Sequence, residues 1–218
     1  MYKRQIRYDV RGYGRSPASQ AVYSDEEDLA ALLRQLGVQK AYVVGLSLGG
    51  RIAIDFALAH PEMTDGIVPV APGLSGFNFT GDAGDGEQWR AAQRGDWAAV
   101  AEYWLKTGYM RPAMANPRIA ARLRQLSVEN AHENLDNGAL QRVLNPAAIT
   151  RLEAIKTPTR IIVGDLDVAD IHEICGLLAI RIPGAIQVVI RGSGHIVNME
   201  KPEEFNRAVL DFLATLGK

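Results

Sequence analysis

The stretch "YVVGLSLGGRIAIDFALAHPE", residues 42–62, constrains the fold of this chain more than any other. A β-branched run enters it, a serine stands between two glycines as Gly45-Leu46-Ser47-Leu48-Gly49, and a second apolar run leaves it. The entering run, "KAYVVG" (40–45), is apolar throughout and reads as a central parallel strand, which is buried on both faces. The leaving run carries Ile52, Ala53, Ile54, Phe56, Ala57, Leu58 and Ala59. It is apolar nearly all round, which predicts a buried helix. A strand, a tight turn and a buried helix in that order make the G-x-S-x-G pattern a nucleophile elbow rather than a chance match. The glycines on either side leave room for neighbouring backbone. The helix N-terminus beneath the hydroxyl favours developing negative charge.

The same alternation continues along the chain and predicts an α/β fold. "RQIRYD" (4–9) reads as a short strand ending in the loop "VRGYGRSPAS". Ser24 and Glu27 have the spacing of a capping box, and Leu29, Leu32, Leu33 and Leu36 continue a helical stripe that Gly37 ends. The acidic run Asp25, Glu26 and Glu27 reads as a solvated helix start. "DGIVPVAP" (65–72) reads as a strand with an irregular Pro69, since proline removes a ladder donor. "RIIVGD" (160–165) and "AIQVVIRG" (185–192) are two further strands. Between them Ile171, Ile174, Cys175 and Leu178 make a helical stripe, with Cys175 an inert core residue. Pro202 opens a closing helix carrying Phe205, Val209, Phe212, Leu213 and Leu216. From Gly73 to Ala148 the strand signal stops, and Asn116–Pro117 marks a helix start. The chain therefore divides into a core part at 1–72, a helical cap at 73–148, and the rest of the core at 149–218.

A serine hydroxyl needs a base, and the base needs an orienting acid. His60 precedes Pro61 and reads as a helix cap, His132 lies in the insertion, and His172 is on the solvent side of its helix. His195 lies in "RGSGHIVNMEKPEEF", a glycine-bearing loop after the last strand. That loop is at the same carboxyl edge of the sheet as Ser47, so His195 is the candidate base. The acid should follow the preceding strand, where "VGDLDVADI" offers Asp165 and Asp167. Asp170 suits a cap of the next helix, and Asp167 is favoured because it lies further into the loop. The N–H of Leu48 is the candidate oxyanion donor. In the cap, Trp97, Val100, Ala101 and Trp104 form a helical stripe that either packs the cap against itself or lines the substrate pocket. Met110 and Met114 suit either job.

A net charge of −1 over 218 residues gives no electrostatic case for a nucleic-acid or anionic-membrane partner. A single cysteine excludes an internal disulfide and a CxxC metal site. "MYKRQIRYDV" has no apolar core of a signal peptide, so a cytoplasmic location is the default expectation. No metal or cofactor is implied, and the expected partner is a small neutral ester.

The pieces "YDVRGYGRS", "VVGLSLGGRIAIDFALAHPE", "RIIVGDLDV" and "GSGHIVNMEKPEEFNRAVLDFL" resemble the α/β-hydrolase fold. The likeness is to its small esterase, enol-lactonase and cofactor-free haloperoxidase-like group. The resemblance implies a serine hydrolase with Ser47, Asp167 and His195 as its triad, Asp167 being the last residue of a G-x-x-D. It implies cleavage of small carboxylic esters through an acyl-enzyme, or of C–C bonds or enol-lactones with the same residues. The family's D-x-R-G-x-G-x-S loop follows its fourth strand. Here that loop begins at Asp9, so the resemblance implies that three strands and a His-Gly oxyanion loop, about 40 residues, are absent. Loss of one oxyanion donor costs roughly 2.7–4 kcal/mol, which keeps a catalytically impaired fragment or binding protein open. Three outcomes are expected for the gap: residues 4–9 move into the empty slot, an oligomer covers the open edge, or the start codon was placed too late.

Overall fold

Among the described residues four strands form one parallel sheet in the order β1-β2-β3-β4: β1 (Ala41–Leu46), β2 (Thr64–Val70), β3 (Arg160–Gly164) and β4 (Ile186–Ile190). The computed structural model describes residues 4–80, 87–130 and 140–217. The helices are α1 (Asp25–Gln35), α2 (Leu48–Ala59), α3 (Glu87–Gln93), α4 (Trp97–Leu105), α5 (Arg111–Met114), α6 (Pro117–Asn130), α7 (Ala169–Arg181), α8 (Val197–Glu200) and α9 (Pro202–Leu216). Strand side chains alternate between faces. Ile67, Ile161 and Val163 meet α2 and α7 on one face, and Val68, Val70 and Ile162 meet α9 on the other. The α7 stripe of Ile171, Ile174, Cys175 and Leu178 is wholly buried, and burial pushes the Cys175 thiol up to about 12. Among the described residues no helix is long and apolar enough to cross a membrane.

Pro69 interrupts the sheet for the reason its chemistry dictates. Ile67 N–H donates to the Pro158 carbonyl at 2.9 Å and Ala71 N–H to that of Ile162 at 2.8 Å. The donor between them would be residue 69, and proline has none. The β2–β3 pairing accordingly registers only at Val70↔Ile162 and Ile67↔Thr159.

Three expectations are corrected. Residues 4–9 form no strand: Ile6 and Val10 instead pack on the cluster of Leu29, Ala30, Leu33, Ile52, Phe56 and Met63 between α1 and α2. Their apolar side chains rest on helices, and their backbone does not join the ladder. Among the described residues strand β1 is therefore an edge, not a centre, and Val44 is 43% exposed. The Ser24–Glu27 capping box does not form. Ser24 stands at the N-cap position without a side-chain bond, and Glu27 reaches His60 Nε2 at 3.0 Å instead. That contact ties α1 to the C-terminal end of α2, where His60 is the C-cap residue.

The segment from 73 to 148 carries α3 to α6 and no strand among its described residues. Asn116 Oδ1 accepts from the Arg118 N–H at 3.0 Å, capping α6 at its Pro117 start. Two apolar clusters hold these helices. Ala91, Val100 and Ala101 join α3 to α4. Leu105, Met110, Ala113, Ile119 and Leu123 gather around Ile196 and Leu46 of the core. Residues 81–86, His132 and the Trp89 side chain lie outside the described residues.

Candidate active site

Ser47 lies between β1 and α2 with φ 55° and ψ −111°. A non-glycine residue at positive φ costs on the order of 1–3 kcal/mol and persists only where its surroundings hold it. Here both backbone groups are held. Ser47 N–H donates to the Val70 carbonyl at 2.9 Å, and its carbonyl accepts from the Arg51 and Gly73 N–H groups, each at 3.0 Å. The hydroxyl does not cap α2, so the serine is not retained as a helix cap.

The motif's glycines are unequal. A Cβ on Gly45 would stand 2.1 Å from the Gly49 carbonyl oxygen, whereas a Cβ on Gly49 would meet nothing within 4 Å. The second crowded position is Gly50, where a Cβ would approach Pro72 Cβ to 2.6 Å. The expectation that the glycines flanking the serine on both sides make room thus holds for Gly45 and passes from Gly49 to Gly50. Leu48 is the first residue of α2, and helix geometry leaves its N–H without an acceptor inside the helix.

His195 and Asp167 come together from loops 28 residues apart. Nδ1 of His195 is 3.0 Å from Asp167 Oδ2 and 3.2 Å from Oδ1, and both side chains are sealed from solvent at 1% and 0% exposure. An acceptor at Nδ1 puts the ring proton there and leaves the Nε2 lone pair for incoming protons. Nε2 is buried and has no hydrogen-bond partner among the described residues. The Ser47 hydroxyl does not bond to it in this structure; such contacts commonly tighten only when substrate is bound. The neighbours of the two residues, Leu46 and Ile196, belong to one apolar cluster.

The two loops are zipped by backbone. Leu166 N–H donates to the Ser193 carbonyl at 2.9 Å, and a Cβ on Gly164 would stand 2.2 Å from that same oxygen. Asp165, the other candidate acid, accepts from the Gly192 N–H at 2.6 Å and so holds the histidine loop rather than the ring. Asp170, expected as a helix cap, lies inside the first turn of α7 and accepts from Thr80 N–H at 2.9 Å and from its hydroxyl at 2.6 Å. It fastens the segment leading into the cap.

The expected pocket residues separate. Trp97 packs on the cluster of Ala91, Val100 and Ala101 between α3 and α4. Trp104 stacks on Tyr109 with ring centres 5.7 Å apart, and Tyr109 stands edge-on to His195 at 5.0 Å. Met110 is 3% exposed beside Ile196. Sequence reasoning missed Tyr109, whose only signal is an aromatic residue beside Gly108 in the link between α4 and α5.

One turn beyond Ser47, Arg51 bridges two buried carboxylates. It pairs with Asp25 and lies 3.7 Å from Asp55 Oδ2, which also accepts from the Ser75 hydroxyl at 2.6 Å. Gln141 donates to Asp25 at 2.6 Å. The acidic start of α1 is therefore solvated only at Glu27: Asp25 and Glu26 are buried. Burial pushes Asp55 up to about 6, against the pull of Ser75 and Arg51, with Glu26 and Asp25 adding repulsion. The folded chain thus holds this proton more tightly than the unfolded chain. Asp55 contributes stability that is complete below pH 4 and lost as pH rises through 6, a change on the order of 3 kcal/mol. Asp55→Asn should remove that dependence. Urea midpoints from pH 4.5 to 8 are expected to show the variant gaining on the wild type up to about pH 7 and holding a constant advantage above it.

Proteins of known structure and activity share this arrangement of elements. The model of the alpha/beta hydrolase family matches residues 3–208. The chain belongs to that family. It is 26% identical to a carboxylesterase of Bacillus subtilis over 82% of this chain and 59% of that protein. It is 27% identical to the 2-hydroxy-6-oxononadienedioate/2-hydroxy-6-oxononatrienedioate hydrolase of Burkholderia vietnamiensis, over 96% of this chain and 76% of the relative. Among solved structures it resembles a thermophilic esterase from Thermogutta terrifontis, with a TM-score of 0.78 and 26% identity over 96% of this chain and 79% of the other. The chain therefore has the alpha/beta hydrolase fold, with four parallel strands in the described residues.

Proposed function

We propose that this alpha/beta hydrolase cleaves small neutral carboxylic esters through an acyl-enzyme. Ser47 Oγ attacks the ester carbonyl and its proton passes to His195 Nε2. Asp167 holds the ring in the tautomer that can accept it and steadies the imidazolium that forms. The Leu48 N–H, at the positive end of α2, receives the oxyanion. The imidazolium then protonates the departing alcohol. Water attacks the acyl-Ser47 bond with the same base assisting, and the acid leaves. Trp104, Tyr109 and Met110 form the apolar wall over His195. The observation that carries the reading is the buried His195 ring, bonded to Asp167 through one nitrogen and open at the other.

A panel of p-nitrophenyl esters from acetate to octanoate, aryl acetates and lactones tests it, together with a fluorophosphonate probe whose adduct is mapped by mass spectrometry. Saturable hydrolysis, fastest on the shorter esters, and a single adduct on Ser47 are expected. A folded, monodisperse sample that neither labels at Ser47 nor turns over any ester would overturn the reading in favour of a binding role. A second reading on the same residues is hydrolysis of C–C bonds or enol-lactones, and the Burkholderia vietnamiensis relative, named as a 2-hydroxy-6-oxononadienedioate hydrolase, adds such oxo-diacids to the substrates worth testing. Including those substrates in the panel separates the two by kcat/KM.

A further inference from the structure

Asp167 restrains the His195 ring, but a second carboxylate restrains the backbone that carries it. Glu200 Oε2 accepts from the Gly194 N–H at 3.0 Å, and Oε1 accepts from the Ile196 N–H at 3.1 Å. The two oxygens of one side chain thus grip the amides immediately before and after the histidine. Glu200 ends the single-turn helix α8, and its own N–H returns to the Ile196 carbonyl at 3.0 Å. The grip is a closed clamp of a few residues.

The chemistry of the clamp is specific. Two N–H groups pointing at one side chain need two acceptors and no donor, which only a carboxylate supplies; an amide would set an NH2 against one of them. Gly194 and Ile196 are both buried, so removal of the acceptors strands two donors away from water. The loop has little freedom to find others. Its outer face is pressed by the cap, where a Cβ on Gly194 would come within 2.6 Å of Pro112 Cγ. Its inner face is bonded through the Ser193 carbonyl to Leu166.

We propose that Glu200 is a positioning residue for His195, setting the aim of Nε2 through the loop backbone without touching substrate. This rests on His195 being the general base. Releasing the clamp lets the ring tilt on its Asp167 bond, so proton transfer slows while substrate still binds.

The test compares Glu200→Ala and Glu200→Gln with wild type by steady-state ester kinetics, thermal melting and proton NMR of the downfield His195 Nδ1–H signal. That signal is assigned by its loss in His195→Gln. Misaiming a reacting group by about 1 Å costs up to about 100-fold, so Glu200→Ala is expected to lose roughly 10- to 100-fold in kcat with KM within about twofold. Glu200→Gln, which keeps one bond, should fall between the two, and the Nδ1–H signal should move or broaden in the same order. Unchanged kcat and an unchanged signal in either folded variant overturn the proposal. So does a variant that melts earlier but keeps both, since the residue is then structural alone. If Glu200→Ala does not fold, Glu200→Gln decides by the same readouts. If wild type hydrolyses nothing, the proposed reaction fails, and the NMR signal alone still decides whether Glu200 sets the ring.

Discussion

Asp167→Asn is expected to lower kcat for ester hydrolysis by about 10⁴-fold with little change in stability. The side chain is fully buried and its two oxygens lie 3.0 and 3.2 Å from His195 Nδ1, with Oδ1 also accepting from the Val168 N–H at 2.8 Å. Asparagine has nearly the same volume, so the cavity stays filled. Its oxygen can keep the Val168 bond, which turns its NH2 toward the ring. Nδ1 then becomes an acceptor, the ring proton moves to Nε2, and the lone pair that should accept the serine proton is gone. Binding survives because the apolar wall is untouched, so KM should stay within a few-fold of wild type. Steady-state kinetics on p-nitrophenyl acetate and the fluorophosphonate labelling rate check this independently, and both should fall together. A variant that keeps more than about a tenth of wild-type kcat would show that Asp167 does not set the tautomer. The equivalent change at Asp165, which holds Gly192 rather than the ring, should leave the ring's tautomer alone and cost far less.

Gly45→Ala is expected to prevent the elbow from closing and to cost more than about 4 kcal/mol, enough to leave much of the chain unfolded. The new Cβ would stand 2.1 Å from the Gly49 carbonyl oxygen and 2.2 Å from its carbon. Both are backbone atoms at the start of α2, so no rotamer relieves the clash. Either α2 withdraws from β1 or the strand shifts, and each movement dismantles the conformation that holds Ser47 at φ 55°. Gly49→Ala is the contrasting variant. Its Cβ would meet nothing within 4 Å, so the fold should survive with a change of at most about 1 kcal/mol in either direction. Chemical denaturation and far-UV circular dichroism of both variants decide the point. Equal tolerance of the two substitutions would contradict the close approach of β1 and α2.

The elements legible in the amino-acid sequence are those whose signal is local. The strand–turn–helix around Ser47, the buried stripe of α7 and the apolar face of α9 each depend on periodicity within a dozen or so residues. The pairing of His195 with Asp167 is also legible, because strand order places the loops after β3 and β4 at one rim. Position in the loop favours Asp167 over Asp165 without separating them. Gly192 separates them in the folded chain, since it takes up Asp165.

The readings that fail are those that assign a side chain to its own element. Ser24 and Glu27 have the spacing of a capping box, yet Glu27 turns to His60 at the C-cap of α2. Asp170 has the look of a cap, yet bonds to Thr80, 90 residues away. The acidic start of α1 looks solvated, yet Asp25 is buried against Arg51 and Gln141. Residues 4–9 alternate as a strand does, yet Ile6 packs on helices. In each case a partner distant in sequence offers a better hydrogen bond or better burial than the local one.

Sequence alone determined the α/β architecture, the elbow serine and the candidate base, because turn sterics and hydrophobic period act between near neighbours. Tertiary structure alone decided which glycine is indispensable, which aspartate meets the ring, which aromatic residue stands over it and that Glu200 grips its backbone. Those outcomes depend on distances of about 2 to 5 Å between backbone and side-chain groups, some from segments as far apart as Tyr109 and His195, and such distances are set only when the chain closes on itself.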